Sequence, residues 1–582
     1  MNTTSQAMNG TTRPIHPNQS TASTDPASMN TGSATVNKRP PAADDGGKKP
    51  SAAVRLVQLA KERYRFVVSA DGRPYAVAID GPNIALPLRG RSGVRQRLAR
   101  LYAETYEGDV ASQSALADAM TVLEGIAEDD DPVPVHLRVG QDDLGTIVVD
   151  LGTADGRAVA VSAGGWHVVD RSPLLFRRSG AMAPMPAPVL EGDGLSMLHS
   201  LLNMDESAFR QLVAWLIAAW MPNIPHPVLT FKGEQGTGKS ATAQMAVNLV
   251  DPTPAAKRSA PRDIKSWGTQ AHSSWALCLD NISAIPGWLS DTLCKAVTGD
   301  AIVDRALYTD DDVVVLTFRR VLAMTTIDAG ALAGDLAERL LMLELQLIAP
   351  GRRRTEEELA TAFETVRPAV LGSLFDLLAT VLAVLPNVKL DSMPRMADFS
   401  RVLAAVDQVM DWHTLDDYLA ASANVAGDAL EGDPFGSAVV ALVDQCGTWT
   451  GTAAQLLEQV QPPGGMRPPS WPKDATRAGG KVKRIAPLLR TVGITVDDTQ
   501  RSRDRHRHKL LVLTRTALPD ESASALASAA LNPSDLGQRA GADAGTLRTL
   551  KYTNSLGRPP APLPPSVHRT RGVTESHGQQ AA

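Results

Sequence analysis

A glycine-rich loop between two apolar stretches constrains this sequence more than any other feature. Residues 229–249 read LTFKGEQGTGKSATAQMAVNL, and residues 233–240 match the pattern G-x-x-x-x-G-K-S/T. An apolar strand before the loop and a helix after it form the context in which this pattern holds phosphate groups. The sequence therefore predicts an α/β domain built around a nucleotide-binding P-loop, and an ATPase is the expected class of protein.

The loop residues have distinct predicted roles in holding a nucleotide. Glycine at 233, 236 and 238 permits backbone conformations that a side chain would hinder, so successive N–H groups can point at phosphate oxygens. Lys239 is expected to reach the β and γ phosphates, and Ser240 is expected to bind Mg²⁺. A glycine-rich loop of no function is the alternative, which the flanking strand disfavours. The predicted nucleotide-binding residues are Gly233, Glu234, Gln235, Gly236, Thr237, Gly238, Lys239, Ser240 and Ala241.

A second apolar strand ends in the acid that such a site needs. Residues 275–280 read WALCLD and end in Asp280. A carboxylate in this place belongs to the magnesium shell of P-loop enzymes, so Ser240 and Asp280 are the predicted metal ligands. A core strand with a polar end is the alternative. Asn281 stands where many such ATPases have a second acid as catalytic base. The base is therefore unassigned, and Asn281 is a candidate to orient the attacking water, with slow hydrolysis as the consequence.

Two further segments supply candidates for the phosphate chemistry. A third strand is expected at residues 313–316 or 321–324, and the second of these ends at Thr325 and Thr326. A polar residue there either touches the γ-phosphate or marks an ordinary strand end. Arg339 follows in the segment DLAERL, where it suits an arginine finger acting across a subunit interface. A helix-surface arginine is the alternative, and Arg305 is a weaker candidate for the same work or for a DNA-facing loop.

Three segments in this order resemble the superfamily 3 helicases of the phage and poxvirus primase–helicase type. They are GEQGTGKS, then LCLDNIS, then KAVTGDAIVDRALYTD followed by FRRVLAMTTID. The layout of residues 55–515 is also similar to that of bacterial and prophage ATP-binding proteins. The resemblance implies a RecA-like AAA+ core, ATP and Mg²⁺ as cofactors, and a homo-oligomeric ring, usually hexameric, around DNA.

Carried onto this sequence, the resemblance implies that Lys239 and Ser240 bind the nucleotide, that Asp280 is the metal-linked acid and that Arg339 is the finger. Two departures weaken the case for vigorous unwinding. The third motif of the family usually ends in Asn, whereas this strand ends in two threonines, and the second acid after Asp280 is replaced by Asn281. No primase metal triad is evident upstream, so primase activity is not predicted.

The regions around the ATPase core are predicted from composition and hydrophobic periodicity. Residues 1–50 and 517–582 lack the apolar residues that form a core and are predicted to be disordered. Residues 51–199 are predicted to form an α+β accessory domain with a small β-meander, residues 200–350 the ATPase core and residues 351–432 a helical domain. The accessory domain is expected to be structural or to contact protein. A nucleic-acid role is the alternative for four of its arginines, which are Arg138, Arg171, Arg177 and Arg178.

The last domain, residues 433–516, is predicted to be a winged helix that binds DNA. Apolar helices precede a basic helix, and a strand pair joined by TQRSRDRHRH follows. This concentration of positive charge stands out against an acidic chain of net charge −5, and it suits contact with phosphates. A protein-contact domain with a solvated basic loop is the alternative. The predicted DNA-binding residues are Lys481, Lys483, Arg484, Arg503, Arg505 and Arg507.

The leading functional hypothesis is an ATP-hydrolysing DNA helicase or translocase of phage or mobile-element replication. An ATP-gated DNA-binding regulatory switch with weak turnover is the runner-up, and a small-molecule kinase is third. The chain has three scattered cysteines, no apolar run of membrane-spanning length and no signal sequence at its start. A cytoplasmic protein without a membrane partner is therefore expected.

Overall fold

The structure is a computed structural model that describes residues 50–90, 93–283, 285–305, 313–327, 334–391, 393–462, 465, 467–502 and 507–516. The two predicted disordered tails lie outside the described residues, except for Pro50.

The first region combines three helices with two small sheets. Its helices are α1 (Ala52–Arg63), α2 (Val94–Thr105) and α3 (Gln113–Glu128). Its strands are β1 (Tyr64–Val68), β2 (Pro74–Ala78), β3 (Ile84–Pro87), β4 (Val139–Gln141), β5 (Ile147–Asp150), β6 (Ala158–Ser162), β7 (Gly165–Val169) and β8 (Phe176–Arg177). The first three strands and β8 form one sheet, and β4 to β7 form an antiparallel meander, which is the small β-meander expected in this region. The turn between β1 and β2 contains Gly72 at φ +72°, as the Asp-Gly pair indicates.

The central region is a parallel sheet covered by helices on both faces. Its helices are α4 (Gly194–His199), α5 (Glu206–Ala219), α6 (Lys239–Val250), α7 (Ile264–Ser273), α8 (Gly287–Thr298) and α9 (Gly334–Ala337). Its strands are β9 (Val228–Lys232), β10 (Lys257–Arg258), β11 (Ala276–Ile282), β12 (Asp300–Arg305), β13 (Val313–Phe318), β14 (Val321–Thr326) and β15 (Leu340–Glu344). Five of these strands form the parallel sheet, in the order β10-β11-β14-β9-β15.

The two candidates for a third strand have different places in this fold. The structure puts β14 into the parallel sheet, between β11 and the P-loop strand β9. The other candidate, β13, pairs with β12 in a separate antiparallel hairpin. The residues that join this hairpin, including the acidic run at 309–312, lie outside the described residues.

Alternate residues of the parallel strands enter two different cores, which explains why these strands are apolar throughout. Leu229, Cys278 and Ala323 pack on one face with α5 and α6. Val228, Leu277 and Leu322 pack on the other face with α7 and α8. We call the edge at the carboxyl ends of the five strands the near edge, and the edge at their amino ends the far edge.

The helical region comprises α10 (Glu356–Val384), α11 (Ala397–Met410) and α12 (Thr414–Glu431), with short 3-10 turns at Pro350–Arg352 and Leu385–Asn387. α10 starts with a capping box in which Thr355 and Glu358 bond each other's backbone N–H groups. By length and composition the segment Glu356–Asn387 could cross a membrane. However, more than half of its most apolar window is buried, and Leu371, Leu374 and Phe375 lie in the central core.

The last region comprises α13 (Pro434–Cys446), β16 (Thr448–Gly451), α14 (Ala453–Gln459), α15 (Ala475–Thr491), β17 (Ile494–Asp497) and β18 (Leu511–Arg515). The strands form an antiparallel sheet in the order β16-β18-β17. The Asp-Pro pair that separates this region from α12 starts a helix, because Asp433 caps α13 and Pro434 takes its first position. α15 packs against α12 and α9, so the basic helix adjoins the ATPase core.

Candidate nucleotide-binding site

The predicted P-loop lies at the near edge of the sheet, between the end of β9 and the start of α6. Gly238 precedes α6 with φ +86°, a left-handed conformation that favours glycine, and no side chain caps the helix. Its first N–H groups therefore have no side-chain acceptor. A methyl group on Gly233 would lie 2.7 Å from the carbonyl oxygen of Leu345, so only glycine fits there. The loop thus presents unpaired N–H groups at a positive helix end, as phosphate binding requires.

The side chain of Lys239 lies against the loop that it is predicted to serve. Its Nζ donates hydrogen bonds to the carbonyl oxygens of Gly233, at 2.6 Å, and Glu234, at 2.7 Å. Partial burial lowers the pKa of Lys239, and the nearby Asp280 carboxylate opposes that shift. The ammonium group is therefore held at the loop by two neutral carbonyl groups. Charged phosphate oxygens would be stronger acceptors and could replace them.

The structure brings the two predicted metal ligands together. Ser240 Oγ donates to Asp280 Oδ1 over 2.8 Å, and Thr325 Oγ1 donates to the same oxygen over 2.7 Å. The carboxylate at the end of β11 is therefore fixed by one hydroxyl from the P-loop helix and one from the adjacent strand β14. These are hard oxygen ligands of the kind that Mg²⁺ prefers. Within the described residues no group of three or more His, Cys, Asp or Glu side chains could hold a metal by itself. Mg²⁺ at such a site usually takes its other ligands from water and from nucleotide phosphates.

Asn281, which stands where a second acid was expected, occupies a bulge in β11. Its φ is +57°, and the register between β11 and β14 slips between Leu279 and Ile282. Asn tolerates this left-handed conformation better than most residues because its short polar side chain can bond locally. The Asn281 N–H donates to Thr325 Oγ1 over 2.7 Å, while the side chain is exposed. Asn281 lines one cavity together with Asp280, but an amide is not a base, so the catalytic base stays unassigned.

Thr325 has a role that the sequence alone did not reveal. It was expected either to touch the γ-phosphate or to be an ordinary strand end. Its hydroxyl accepts from the Asn281 N–H and donates its one proton to Asp280, so it positions the carboxylate. Thr326, the other candidate, is buried and donates to the carbonyl oxygen of Ile282. Only the strand order could have identified Thr325, because β14 is remote in sequence from both partners.

Arg339 lies on the far edge, opposite the P-loop of its own chain. It immediately precedes β15, and its backbone carbonyl accepts from the N–H of Val228 at the start of β9. Its side chain is 12% exposed and forms an ion pair of 2.6 Å with Asp335, which also pairs with Arg395. From this position Arg339 cannot touch the nucleotide loop of the same chain. Arg305 ends β12, in the separate hairpin.

The predicted DNA-binding cations have unequal surroundings. Lys481 is mostly buried, with an ion pair of 2.8 Å to Asp433 and a hydrogen bond to the Ser470 carbonyl, so it holds the domain together. Lys483 is half exposed and shares the Asp498 carboxylate with Lys509 at 2.7 Å each. These two hydrogen bonds lower the pKa of Asp498 to about 2.

Of the other four predicted DNA-binding residues, two are exposed and two lie outside the described residues. Arg484 is exposed on α15 and lines a cavity of about 370 Å³ with Arg477 and Lys473. Arg507 is exposed at φ +48° in the connection between β17 and β18. Arg503 and Arg505 lie outside the described residues.

Three of the four arginines with a nucleic-acid role as the alternative are instead engaged in contacts within the protein. Arg138 is fully buried, Arg177 bonds His272, and Arg178 forms two hydrogen bonds to Asp150. Arg171 alone is exposed.

A buried ion pair joins the first region to the far edge of the ATPase sheet. Arg138 Nε donates to Asp251 Oδ1 over 2.8 Å, and neither side chain is exposed. Asp251 ends α6, and its Oδ2 accepts from the N–H groups of Trp275 and Ala276 at the start of β11. The helix that begins at the P-loop and the strand that carries Asp280 are therefore tied together at the ends remote from the site. The spacing of motifs gave no signal for this contact.

Two family models match the chain. Residues 195–428 match the actinomycete integrative conjugative element replication protein family, AICE RepA, and residues 435–527 match the AICE RepA C-terminal domain. These matches span more than half of the chain and relate it to the AICE RepA replication proteins. No protein with curated annotation matches the sequence.

Similar solved structures are remote in sequence. The apo structure of the NrS-1 C-terminal region (305–718) is 11% identical, with coverage of 81% of this chain and 100% of that chain and a TM-score of 0.34. The X-ray structure of JCV helicase is 12% identical, with coverage of 40% of this chain and 64% of that chain and a TM-score of 0.23. Both likenesses are too remote to bear on the activity of this chain.

Proposed function

We propose that this protein binds and hydrolyses Mg-ATP and acts as a DNA helicase or translocase in the replication of an integrative mobile element. The observation that carries the proposal is the meeting of Ser240 and Asp280 beside the P-loop, with a hydrogen bond of 2.8 Å between them. The strand order, with β14 inserted between β9 and β11, supports a RecA-like AAA+ core. The relation to AICE RepA replication proteins supports the setting of a mobile element.

The chemistry proposed for the near edge rests on four residues of this chain. Lys239 would neutralise the β and γ phosphates, and the free N–H groups of the loop would bind their oxygens. Ser240 and Asp280 would hold Mg²⁺, which supplies positive charge against the charge that develops on the transferred phosphoryl group. Thr325 would keep the Asp280 carboxylate in the position that this requires.

Assembly of several copies is part of the proposal, because Arg339, the predicted arginine finger, lies away from the nucleotide site of its own chain. Arg339 lies on the far edge, where it can reach only the nucleotide of another copy. Release from Asp335 would have to accompany that contact, since the ion pair now occupies the guanidinium group. A ring, with six copies as the expected number, satisfies this geometry.

The proposed DNA contact lies on the last region, whose element order and three-stranded sheet support a winged helix. Lys483 and Lys509 place two positive charges beside one carboxylate, and Arg484 adds a third charge on the same helix as Lys483. This excess favours contact with DNA phosphates. Lys481 has a structural role in the domain, so we expect it to contribute less.

The test of the catalytic proposal is ATP hydrolysis by the full chain with and without single-stranded and duplex DNA. Asp280→Asn keeps the size of the side chain and removes the charge that would bind Mg²⁺. We expect DNA to stimulate hydrolysis by the wild type and Asp280→Asn to abolish it. Strand displacement that requires ATP would then identify a helicase.

The alternative proposal is an ATP-gated DNA-binding switch, which the bulge at Asn281 favours because it leaves no acid to act as base. In that case the wild type binds ATP and DNA but hydrolyses ATP at a negligible rate whether or not DNA is present. Such a result would exclude the motor and leave the switch.

The DNA contact has its own test in the salt dependence of binding. The double variant Lys483→Gln, Arg484→Gln removes two exposed charges from α15, and Lys61→Gln, Arg63→Gln removes two charges from α1 as the control. We expect only the first double variant to weaken DNA binding. The slope of the logarithm of the binding constant against the logarithm of the salt concentration should become shallower by about two, because each lost phosphate contact removes about one unit. An equal effect of both pairs would contradict a contact at α15.

A further inference from the structure

A segment that follows β15 lies directly on the P-loop. We call residues 345–353 the strap. The N–H of Leu345 donates to the carbonyl oxygen of Lys232, the last residue before the loop, over 2.9 Å. The close approach of the Leu345 carbonyl to Gly233 then leaves no room for a side chain on the loop at that position. The strap and the loop therefore run side by side from the near edge of the sheet.

Further contacts fix the middle of the strap to the loop. The side-chain amide of Asn203, which precedes α5, donates to the carbonyl oxygen of Thr237 in the loop over 3.2 Å and also to that of Gln346 in the strap. The Ile348 N–H lies 3.4 Å from the Gly236 carbonyl oxygen that accepts from it. A single amide thus bridges the two segments, so the strap keeps its place relative to the loop.

The strap ends in a guanidinium group beside the loop. Arg353 Nη2 lies 3.5 Å from the position that a methyl group would occupy on Gly236. Arg353 is exposed, and within the described part of the chain it forms no hydrogen bond or ion pair. The first turn of the following helix contains Glu356, Glu357 and Glu358; none of them forms an ion pair with Arg353, and Glu358 is engaged in the capping box with Thr355. A charged, uncommitted guanidinium at the mouth of a phosphate loop is suited to bidentate contact with phosphate oxygens.

We propose that Arg353 binds the phosphates of the nucleotide held by the P-loop of its own chain. This inference rests on the proposed ATP site and deepens it. Arg353 acts within one chain from the near edge, whereas Arg339 can act only on another copy from the far edge. The strap fixes the backbone from which Arg353 extends, and Asn203 is a positioning residue that keeps the strap on the loop.

The experiment measures the affinity of the full chain for a fluorescent ATP analogue and for the corresponding ADP analogue. Arg353→Gln is compared with Arg352→Gln and Arg354→Gln, which remove the same charge from the two neighbouring positions. We expect Arg353→Gln to weaken ATP binding about tenfold, as the loss of one charge-assisted contact does. The two neighbouring variants should stay within about twofold of the wild type, which excludes a general effect of charge.

Two more variants distinguish the contact that Arg353 makes with phosphate from the positioning of the strap by Asn203. Arg353→Lys keeps the charge without the planar fork, and we expect it to recover part of the lost affinity. Asn203→Ala leaves Arg353 intact but frees the strap, so we expect a smaller loss than with Arg353→Gln. Thermal unfolding midpoints equal to that of the wild type show that each exposed variant is folded.

The outcomes distinguish failure of the inference from failure of the proposed function. If the wild type binds ATP, Lys239→Ala does not, and Arg353→Gln matches its neighbours, the role of Arg353 is overturned and the ATP site stands. If the wild type does not bind ATP, the proposed function is overturned and the role of Arg353 with it. A selective loss with Arg353→Gln supports both.

Discussion

The near and far edges of one parallel sheet both carry charged residues, but they use them in opposite ways. At the near edge Lys239, Ser240 and Asp280 are partly accessible and bond one another or neutral carbonyls. At the far edge Arg138 and Asp251 are fully buried and paired. The charged groups at the near edge can exchange their present partners for a ligand, whereas the Arg138–Asp251 pair at the far edge is committed to holding the sheet and its helices together.

This difference explains what a motif can and cannot reveal. The far edge holds the remote ends of α6 and β11, whose other ends carry the P-loop and Asp280. Rigidity at one edge therefore supports geometry at the other. Substitution of the Arg138–Asp251 pair should therefore lower stability, whereas substitution at the near edge should lower the binding of nucleotide or Mg²⁺.

The largest effect is expected for Arg138→Met at the far edge. The change removes one partner of a fully buried ion pair and leaves the Asp251 carboxylate uncompensated, which should lower the free energy of unfolding by about 3–5 kcal/mol. Arg157→Met, which removes an exposed ion pair with Asp155 in the same meander, should lower it by at most about 1 kcal/mol. Urea unfolding of both variants measures the difference. Equal decreases in the free energy of unfolding would contradict a structural role specific to the Arg138–Asp251 pair.

The next effect is a loss of stability in acid that comes from the far edge. His226 is fully buried, its Nε2 lies 3.0 Å from the carbonyl oxygens of Ala218 and Met221, and burial lowers its pKa to about 4. The unfolded chain takes up this proton near pH 6.5, but the folded chain does so only near pH 4. Stability should therefore be complete above pH 6.5 and fall as the pH drops from 6.5 to 4, by up to about 1.4 kcal/mol per pH unit from this group.

The share of His226 in this acid loss can be isolated by substitution. Urea unfolding between pH 7 and pH 4 should show a shallower pH dependence for His226→Asn than for the wild type. His167→Asn, on the exposed side of β7, should leave the pH dependence unchanged. If stability fell with pH as steeply in the His226 variant as in the wild type, the acid loss of stability would come from other groups.

The smallest of these effects sharpens the account of the near edge. Thr325→Val keeps the shape of the side chain but removes the hydroxyl that orients Asp280, so the Mg²⁺ concentration for half-maximal nucleotide binding should rise about tenfold, as the loss of one hydrogen bond to a charged group predicts. Thr325→Ser should restore the wild-type value. Thr326→Val is the matched control, because that hydroxyl bonds Ile282 and not Asp280. If both valine variants had the same Mg²⁺ dependence, the proposed role of Thr325 in orienting Asp280 would be contradicted.

The sequence predicted those parts of the site whose residues are close together along the chain. The P-loop followed from one local pattern, and Asp280 from a strand whose apolar run ends in an acid. The small β-meander expected within residues 51–199 is also a local feature, because its strands pair in chain order. In each case the physical signal lies within about twenty residues, which is the range of helix and strand patterns.

The features that escaped prediction join residues distant in sequence. Arg138 meets Asp251, Thr325 meets Asp280, and Asn203 meets Gln346 only because the chain folds back on itself. Arg138 was considered for nucleic-acid contact because a positive charge is assumed exposed until its partner is known. Likewise Lys481 was grouped with the DNA-binding cations, although its ion pair with Asp433 gives it a role inside the domain.

The central claim is that the near edge binds Mg-ATP through Lys239, and direct titration of the full chain with ATP and Mg²⁺ tests it most simply. The wild type should bind with a dissociation constant of about 1 μM–1 mM, the range in which enzyme KM values commonly fall. Lys239→Ala should lose most of that affinity while it unfolds at the same temperature as the wild type. Equal binding by the two proteins, or no binding by the folded wild type, would contradict the account.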